Sequence, residues 1–153
     1  MKIRPERILA TTDFSESAQI GLRLAGSLAG SFGAKLFLLN VIPEKELEYI
    51  SEAEFPKKPV DIIANEQKER LVQHFEEVLK PEERERVKLQ PRVRFGEPAK
   101  EIIKISEELE ADLVVMATHG RTGLRHLLAG SVAEEVVRNA ACPVLTIRPR
   151  EKT

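Results

Sequence analysis

Two short apolar runs restrict the folds that are open to this chain more than any other feature. Residues 35–42 and 112–117 are almost uninterrupted apolar segments between turn signals, which is typical of strands covered on both faces. Strands buried in this way pair in parallel, and parallel pairs need long crossover connections. Segments with the period of a helix separate the strand-like runs. The chain is therefore expected to fold as an α/β domain.

The whole pattern alternates strands with helices. Strands are predicted at 7–12, 35–42, 87–95, 112–117 and 143–148, and helices at 16–32, 60–79, 98–109 and 131–141. In the second helix Gln67 interrupts the apolar stripe. This alternation predicts a three-layer, Rossmann-like sandwich, in which helices cover both faces of a five-stranded parallel sheet.

Pro91 lies in the third predicted strand, where apolar and charged residues alternate. Because proline cannot donate to a central ladder, this strand is expected at an edge of the sheet. The simplest strand order is then 3-2-1-4-5, which makes strands 1 and 4 neighbours. Ligands of such sheets bind beyond the carboxyl ends of the strands, where the connections diverge. Segments 11–13 and 116–120 are therefore expected to face one crevice.

Size and composition are typical of one cytoplasmic domain. The chain has 153 residues, with 24 Lys and Arg against 25 Asp and Glu, so no overall field favours nucleic acid or an anionic membrane. The apolar runs are too short for a membrane-spanning helix or a signal peptide. Cys142, the single cysteine, is expected to be a small buried residue. We expect one domain over 1–148 and a tail over 149–153.

The most informative motif joins a glycine-containing segment to a helix start. It reads Ala117-Thr118-His119-Gly120, then nine residues, then Gly130-Ser131. Glycine allows a ligand to approach the backbone, and the free N–H groups of a helix start favour phosphate. The segment also carries His119, Arg121, Arg125 and His126. These features favour a phosphate-bearing small molecule, although the same residues would also serve simply to turn a loop and cap a helix.

The residues of this motif resemble the universal stress protein family, of the adenine-nucleotide alpha-hydrolase-like fold. The resemblance rests on segments 8–15, 40–41, 115–123, 130–134 and 142–145, and it covers nearly the whole chain. Nucleotide-binding members of the family carry Gly, two residues, Gly, nine residues, Gly, then Ser or Thr. This sequence departs from that pattern at Ala117, where the first glycine belongs.

The resemblance implies that the crevice binds ATP, with Mg²⁺ or Mn²⁺ as the accompanying metal where one is used. It places Asp13 near the ribose and the Val41 backbone at the adenine, with the glycines and the start of the last helix around the phosphates. The expected nucleotide-binding residues are Thr11, Asp13, Val41, Met116, Ala117, Gly120, Arg121, Gly130, Ser131 and Val132.

Ala117 leaves two functions open, because the family also has a branch that lacks the glycine motif and does not bind ATP. Alanine costs little if its φ is negative, and on the order of 1 kcal/mol if φ is positive. The sequence therefore predicts an ATP-binding stress-response protein. The alternative is a nucleotide-free homodimeric interaction module of the same fold.

Catalysis has no visible apparatus in this sequence. It contains no phosphate loop of the Gly-x-x-x-x-Gly-Lys type, no Gly-x-Gly-x-x-Gly and no serine nucleophile elbow. His119 is more simply explained as a solvated loop residue than as a catalytic base. Asp13 would serve either as a ligand-binding residue, which we favour, or as a helix cap. We therefore predict a binding protein that is at most a weak ATPase, without catalytic or metal-ligating residues of its own.

The fifth predicted strand lies at the other edge of the proposed sheet. An exposed edge rich in Val, Leu and Ile favours pairing with another chain, and the family resemblance implies a homodimer through this strand. The expected contact residues are Val144, Leu145, Thr146 and Ile147.

Residues 43–59 lack a helical period and contain three prolines, so this segment is predicted to be a loop outside the core. Its isolated apolar residues are Tyr49, Ile50 and Phe55. They suggest either a lid over the nucleotide or a contact with another protein.

Overall fold

The computed structural model of this protein describes residues 3–118 and 131–149. In these ranges the elements are β1 (Arg7–Thr11), α1 (Glu16–Phe32), β2 (Lys35–Ile42), α2 (Glu44–Glu52), α3 (Val60–Val78), α4 (Pro81–Arg84), β3 (Lys88–Phe95), α5 (Pro98–Glu108), β4 (Leu113–Ala117), α6 (Ser131–Asn139) and β5 (Val144–Ile147).

The five strands form one parallel sheet in the order β3-β2-β1-β4-β5. Both the fold class and the strand order predicted from the sequence are confirmed. Pro91 lies opposite Leu38 in the β2–β3 register, and β3 is an edge strand, where a residue without an N–H is tolerated.

The core has two apolar layers, because successive strand residues point to opposite faces of the sheet. On one face Ile8, Leu38 and Val115 pack with α1 and α3. On the other face Leu9, Leu39 and Met116 pack with α5 and α6. Since both faces are covered, strands β1, β2 and β4 are apolar along almost their whole length, whereas apolar and polar residues alternate in the edge strand β3.

The ends of α1 follow the chemistry of their residues. The Ser15 side chain accepts a hydrogen bond from the Ala18 N–H and caps the first turn, while Gly33, with φ of 67°, ends the helix. A left-handed residue at this position costs glycine nothing. Serine at the start of a helix and glycine just after its end are the residue types that these two positions favour.

Residues 43–59 differ from the predicted loop, because α2 occupies Glu44–Glu52. Glu44 and Glu46 lie in its first turn, where negative charge favours a helix start. No residue of α2 is fully buried, although Leu47, Ile50 and Ser51 are half-buried. The helix has only 9 residues, fewer than the window in which a helical period can be recognised. The expectation that this segment lies outside the core is confirmed.

A membrane-spanning helix must be both long and predominantly apolar. No helix within residues 3–118 and 131–149 meets both requirements.

Candidate functional site

The carboxyl ends of β1 and β4 lie side by side at the point where the sheet connections diverge. Ala10 pairs with Val115; beyond this pair, Thr11 ends β1 and Met116 and Ala117 end β4. The chain leaves β1 toward α1 on one face, whereas α6, which follows β4 in sequence, covers the other. A crevice is expected at such a position.

The turn between β1 and α1 is closed by its own side chains. Thr12 Oγ1 accepts a hydrogen bond from the Phe14 N–H at 3.0 Å, and Asp13 Oδ1 accepts one from the Ser15 N–H at 2.9 Å. Since Ser15 caps α1, the alternative interpretation of Asp13 as the helix cap is wrong. Asp13 instead holds the turn, and its half-buried carboxylate lies at the carboxyl end of β1.

Asn40 connects this turn to its neighbours, although sequence reasoning gave it no role of its own. It is 4% exposed. Its Nδ2 donates to the Thr12 carbonyl at 2.9 Å, and its Oδ1 accepts from Gln67 Nε2 at 2.8 Å. Two polar residues at otherwise apolar positions could have indicated this hydrogen bond in the sequence: an asparagine within a buried strand and a glutamine in the apolar stripe of a helix.

Phe14 also contacts α3. The Arg70 guanidinium carbon lies 3.9 Å from the centroid of the Phe14 ring, and the His74 ring meets it edge-on at 5.2 Å between centroids. His74 is 7% exposed. In the described part of the chain no hydrogen-bond partner faces its Nε2.

Burial lowers the pKa of the His74 imidazole from its ordinary value of 6.5. Glu77 and Asp13 oppose this shift, and Arg70 adds to it. The neutral imidazole is therefore the favoured form near neutral pH.

Two further predicted site regions lie at other ends of elements. Val41 is the penultimate residue of β2 and is half-buried. Ser131 and Val132 begin α6, with Ser131 exposed and Val132 half-buried. The first N–H groups of a helix lack intrahelical partners and favour an anion.

The structure thus places Thr11, Asp13, Val41, Met116 and Ala117 at the carboxyl ends of three neighbouring strands. The predicted residues Gly120, Arg121 and Gly130 lie outside the described residues.

Ala117 occupies the position of the first motif glycine without backbone strain. It is the last residue of β4 and pairs with Ile147. Among the non-glycine residues that the structure describes, positive φ angles occur at Phe14 and Glu110, so Ala117 is not left-handed. Alanine is therefore accommodated here at little conformational cost.

A metal ion held by the protein alone is typically bound by three or four side chains. In residues 3–118 and 131–149 no three His, Cys, Asp or Glu side chains converge on a common point.

Comparisons with known proteins agree with this architecture. The model of the universal stress protein family matches residues 5–148. The universal stress protein MJ0577 of Methanocaldococcus jannaschii is 31% identical over an alignment of 158 positions that spans 97% of this chain and 98% of that protein. The solved structure of MJ0577 superposes with a TM-score of 0.76 at 30% identity and covers 98% of this chain and 100% of that one.

Two further proteins are similar over most of their length. The universal stress protein MJ0531 of the same organism is 32% identical over 147 residues, 96% of this chain and 84% of that protein. The structure of the Archaeoglobus fulgidus universal stress protein in complex with dAMP has a TM-score of 0.61 at 22% identity, covering 95% and 99% of the two chains. The family match over residues 5–148, with which the sheet order agrees, shows that the protein belongs to the universal stress protein family.

Proposed function

We propose that this protein binds an adenine nucleotide, ATP in the first place, at the carboxyl ends of β1 and β4, and that it acts in the cytoplasm as a nucleotide-dependent stress-response protein. Hydrolysis is slow or absent in this proposal. The observation that carries it is the Asp13 carboxylate, fixed by the Ser15 N–H at 2.9 Å beside the divergence point of a parallel sheet.

The proposed roles follow from the position and chemistry of each group. Asp13 accepts hydrogen bonds from the ribose hydroxyls, and the backbone of Val41 contacts the adenine. Thr11, Met116 and Ala117 line the crevice. Gly120, Gly130, Ser131 and Val132 surround the phosphates, with Arg121 supplying positive charge; this set comes from the motif in the sequence.

Two observations support this proposal. The fold holds an adenine nucleotide in the Archaeoglobus fulgidus protein, whose structure is a complex with dAMP. Ala117 has no left-handed backbone, which removes the conformational objection to the altered motif. A metal accompanying ATP would be held mainly by the phosphates, with Asp13 as a carboxylate at this edge of the sheet.

The second candidate function, a nucleotide-free homodimeric module, is favoured by the β5 edge. Leu145 in β5 is 36% exposed and Val137 in α6 is 53% exposed. Within the residues that the structure describes, β5 is an edge strand, and an apolar edge favours pairing with another chain. Dimerisation through Val144–Ile147 is compatible with nucleotide binding, so only a binding measurement separates the two functions.

The test is a calorimetric titration of nucleotide-stripped protein with ATP and Mg²⁺, using Asp13→Asn and Asp61→Asn variants. The amide introduced by Asp13→Asn keeps an oxygen for the Ser15 N–H but loses the charge, and charged hydrogen bonds contribute about 1.5–3 kcal/mol. We expect micromolar binding by the unmodified protein and roughly tenfold or greater weakening in Asp13→Asn. Asp61, which is exposed in α3, is the matched control and should leave the Kd unchanged.

A Gly130→Asp variant places a carboxylate in the proposed phosphate segment and should abolish binding. The absence of heat with ATP, together with no competition by ADP or AMP, would exclude the nucleotide proposal and leave the homodimeric module.

A further inference from the structure

Three side chains of α3 face the β1–α1 turn, which we define as residues 12–15. Gln67, Arg70 and His74 are separated by three and four residues, and this spacing places them on one face of a helix. Gln67 reaches the turn through Asn40, while Arg70 and His74 contact Phe14 directly. Nothing in the proposed nucleotide site yet uses this stripe.

We propose that this face of α3 positions the β1–α1 turn so that Asp13 meets the ribose, and that Gln67 is a positioning residue of the nucleotide site. This inference rests on the proposed function. It assigns the geometry of the site to residues that do not touch the nucleotide.

The direction of the hydrogen bonds requires a donor side chain at position 67. The Thr12 carbonyl only accepts, so Asn40 must turn its Nδ2 toward it, and this leaves Oδ1 facing α3. A residue at position 67 must therefore donate, as Gln67 Nε2 does at 2.8 Å. An ionised carboxylate at the same place offers only acceptors.

The turn requires support because its backbone is unusual. Phe14 has a φ of 65°, a region that bulky residues rarely occupy and that persists only where surrounding contacts enforce it. The Arg70 guanidinium on the ring face and the His74 ring at its edge are such contacts. Since Phe14 directly follows Asp13, any relaxation of the turn displaces the carboxylate.

Helix α3 is anchored independently of Gln67. Leu71, Phe75 and Val78 are buried in the core on this helix, whereas Gln67 is only half-buried. A substitution at position 67 should therefore leave α3 packed while it disturbs the bond to Asn40. This permits a test in the folded protein.

The experiment compares Gln67→Glu and Gln67→Met with Gln73→Glu, which adds the same charge at an exposed position of α3. Each protein is titrated with ATP and with 2′,3′-dideoxy-ATP, which has the same base and phosphates but lacks the ribose hydroxyls. Loss of one buried hydrogen bond predicts about three- to tenfold weaker ATP binding by both Gln67 variants. Binding of the dideoxy nucleotide should change less than about twofold, and Gln73→Glu should match the unmodified protein.

Comparing ATP with dideoxy-ATP distinguishes a positioning role from a general structural effect. The comparison is a double-mutant cycle in which one change is made in the protein and the other removes the ribose hydroxyls of the nucleotide. Equal weakening for ATP and dideoxy-ATP would overturn the proposal, as would unchanged ATP binding in both Gln67 variants. Amide hydrogen exchange adds a readout without ligand: the N–H groups of Phe14 and Ser15 should exchange faster in the Gln67 variants than in Gln73→Glu.

Failure of the proposed function is distinguishable from failure of this inference. If the unmodified protein binds no adenine nucleotide, the function is excluded, and the exchange measurement still decides whether α3 holds the turn. Unaltered exchange at Phe14 and Ser15 would overturn the inference in either case.

Discussion

His74 is a buried ionisable side chain in contact with the turn that carries Asp13. Burial lowers the pKa of its imidazole from 6.5, so below that pH the unfolded chain takes up a proton that the folded protein resists. The free energy of unfolding linked to His74 is therefore fully present above pH 6.5 and is lost as the pH falls toward the folded pKa.

We expect a His74→Phe variant, which keeps an aromatic edge near Phe14, to lose less stability than the unmodified protein between pH 7 and pH 5. Urea unfolding at several pH values measures this difference. Carboxylates that do not interact with residue 74 titrate alike in both proteins and cancel in the comparison, whereas the interactions of His74 with Glu77 and Asp13 are part of the measured difference. Parallel pH curves for the two proteins would contradict the assignment.

Ala117 gives a second prediction at the residue scale. Its strand backbone does not need glycine, so Ala117→Gly should lower the free energy of unfolding by about 0.5–1 kcal/mol. The Kd for ATP should change by less than about threefold, since no strain is relieved. Thermal denaturation and calorimetry together check this; a tenfold gain in affinity would show that the methyl group obstructs the nucleotide.

Individual residues near the site differ in how far their roles could be predicted from the sequence. Ser15 and Gly33 were predictable because a helix cap depends on its immediate neighbours. The bond from Gln67 to Asn40 was not, because it joins residues that are distant in the sequence and depends on which face of α3 meets β2. The positive φ of Phe14 depends on contacts of the same kind.

At the scale of elements, the close packing of α1 against Leu79 limits which glycines of α1 can be replaced by a larger residue. A Cβ at Gly26 would lie 2.4 Å from Leu79 Cδ2, whereas one at Gly30 would meet Arg86 Cβ at an ordinary 3.4 Å. Leu79 is buried, so its side chain can move only by repacking the core.

We expect Gly30→Ala to stabilise the protein by about 0.5–1 kcal/mol through helix propensity. Gly26→Ala should be less stable than Gly30→Ala by about 1–3 kcal/mol, because overpacking offsets the same gain. Guanidinium unfolding of both variants measures the difference. Adding Leu79→Ala to Gly26→Ala should reduce the effect of Gly26→Ala; equal stability of the two single variants would refute the packing argument.

Helix α2 shows which elements a sequence pattern misses. Strands β1, β2 and β4 bury continuous runs and the long helices bury stripes, and the strand order follows from these patterns together with Pro91. Helix α2 has half-buried Leu47 and Ile50 but no fully buried residue, and its apolar pattern is too short to predict a helix by itself. The role of segment 43–59, with Tyr49, Ile50 and Phe55, as a lid or a protein contact stays a prediction.

At the scale of the whole molecule, the exposed β5 edge predicts a homodimer. Replacing Leu145 with lysine puts a charge in the middle of the proposed strand pairing and should convert the dimer into a monomer. Sedimentation velocity of Leu145→Lys measures this. Ile62→Lys, on exposed surface of α3, is the control and should remain dimeric. A monomeric unmodified protein would contradict the prediction.

The strand order also determines when the site can form during synthesis. β1 is the central strand, and its two neighbours come from residues 35–42 and 113–117. Strands β1, β2 and β3 can pair before β4 has been synthesised, which leaves one edge of β1 unpaired. The later pairing of β1 with β4 joins distant parts of the chain and is therefore slow. The proposed nucleotide contacts β1, β4 and the start of α6, so it has no complete site on the nascent chain until α6 emerges. It would then act chiefly by slowing unfolding of the finished protein rather than by guiding its early folding.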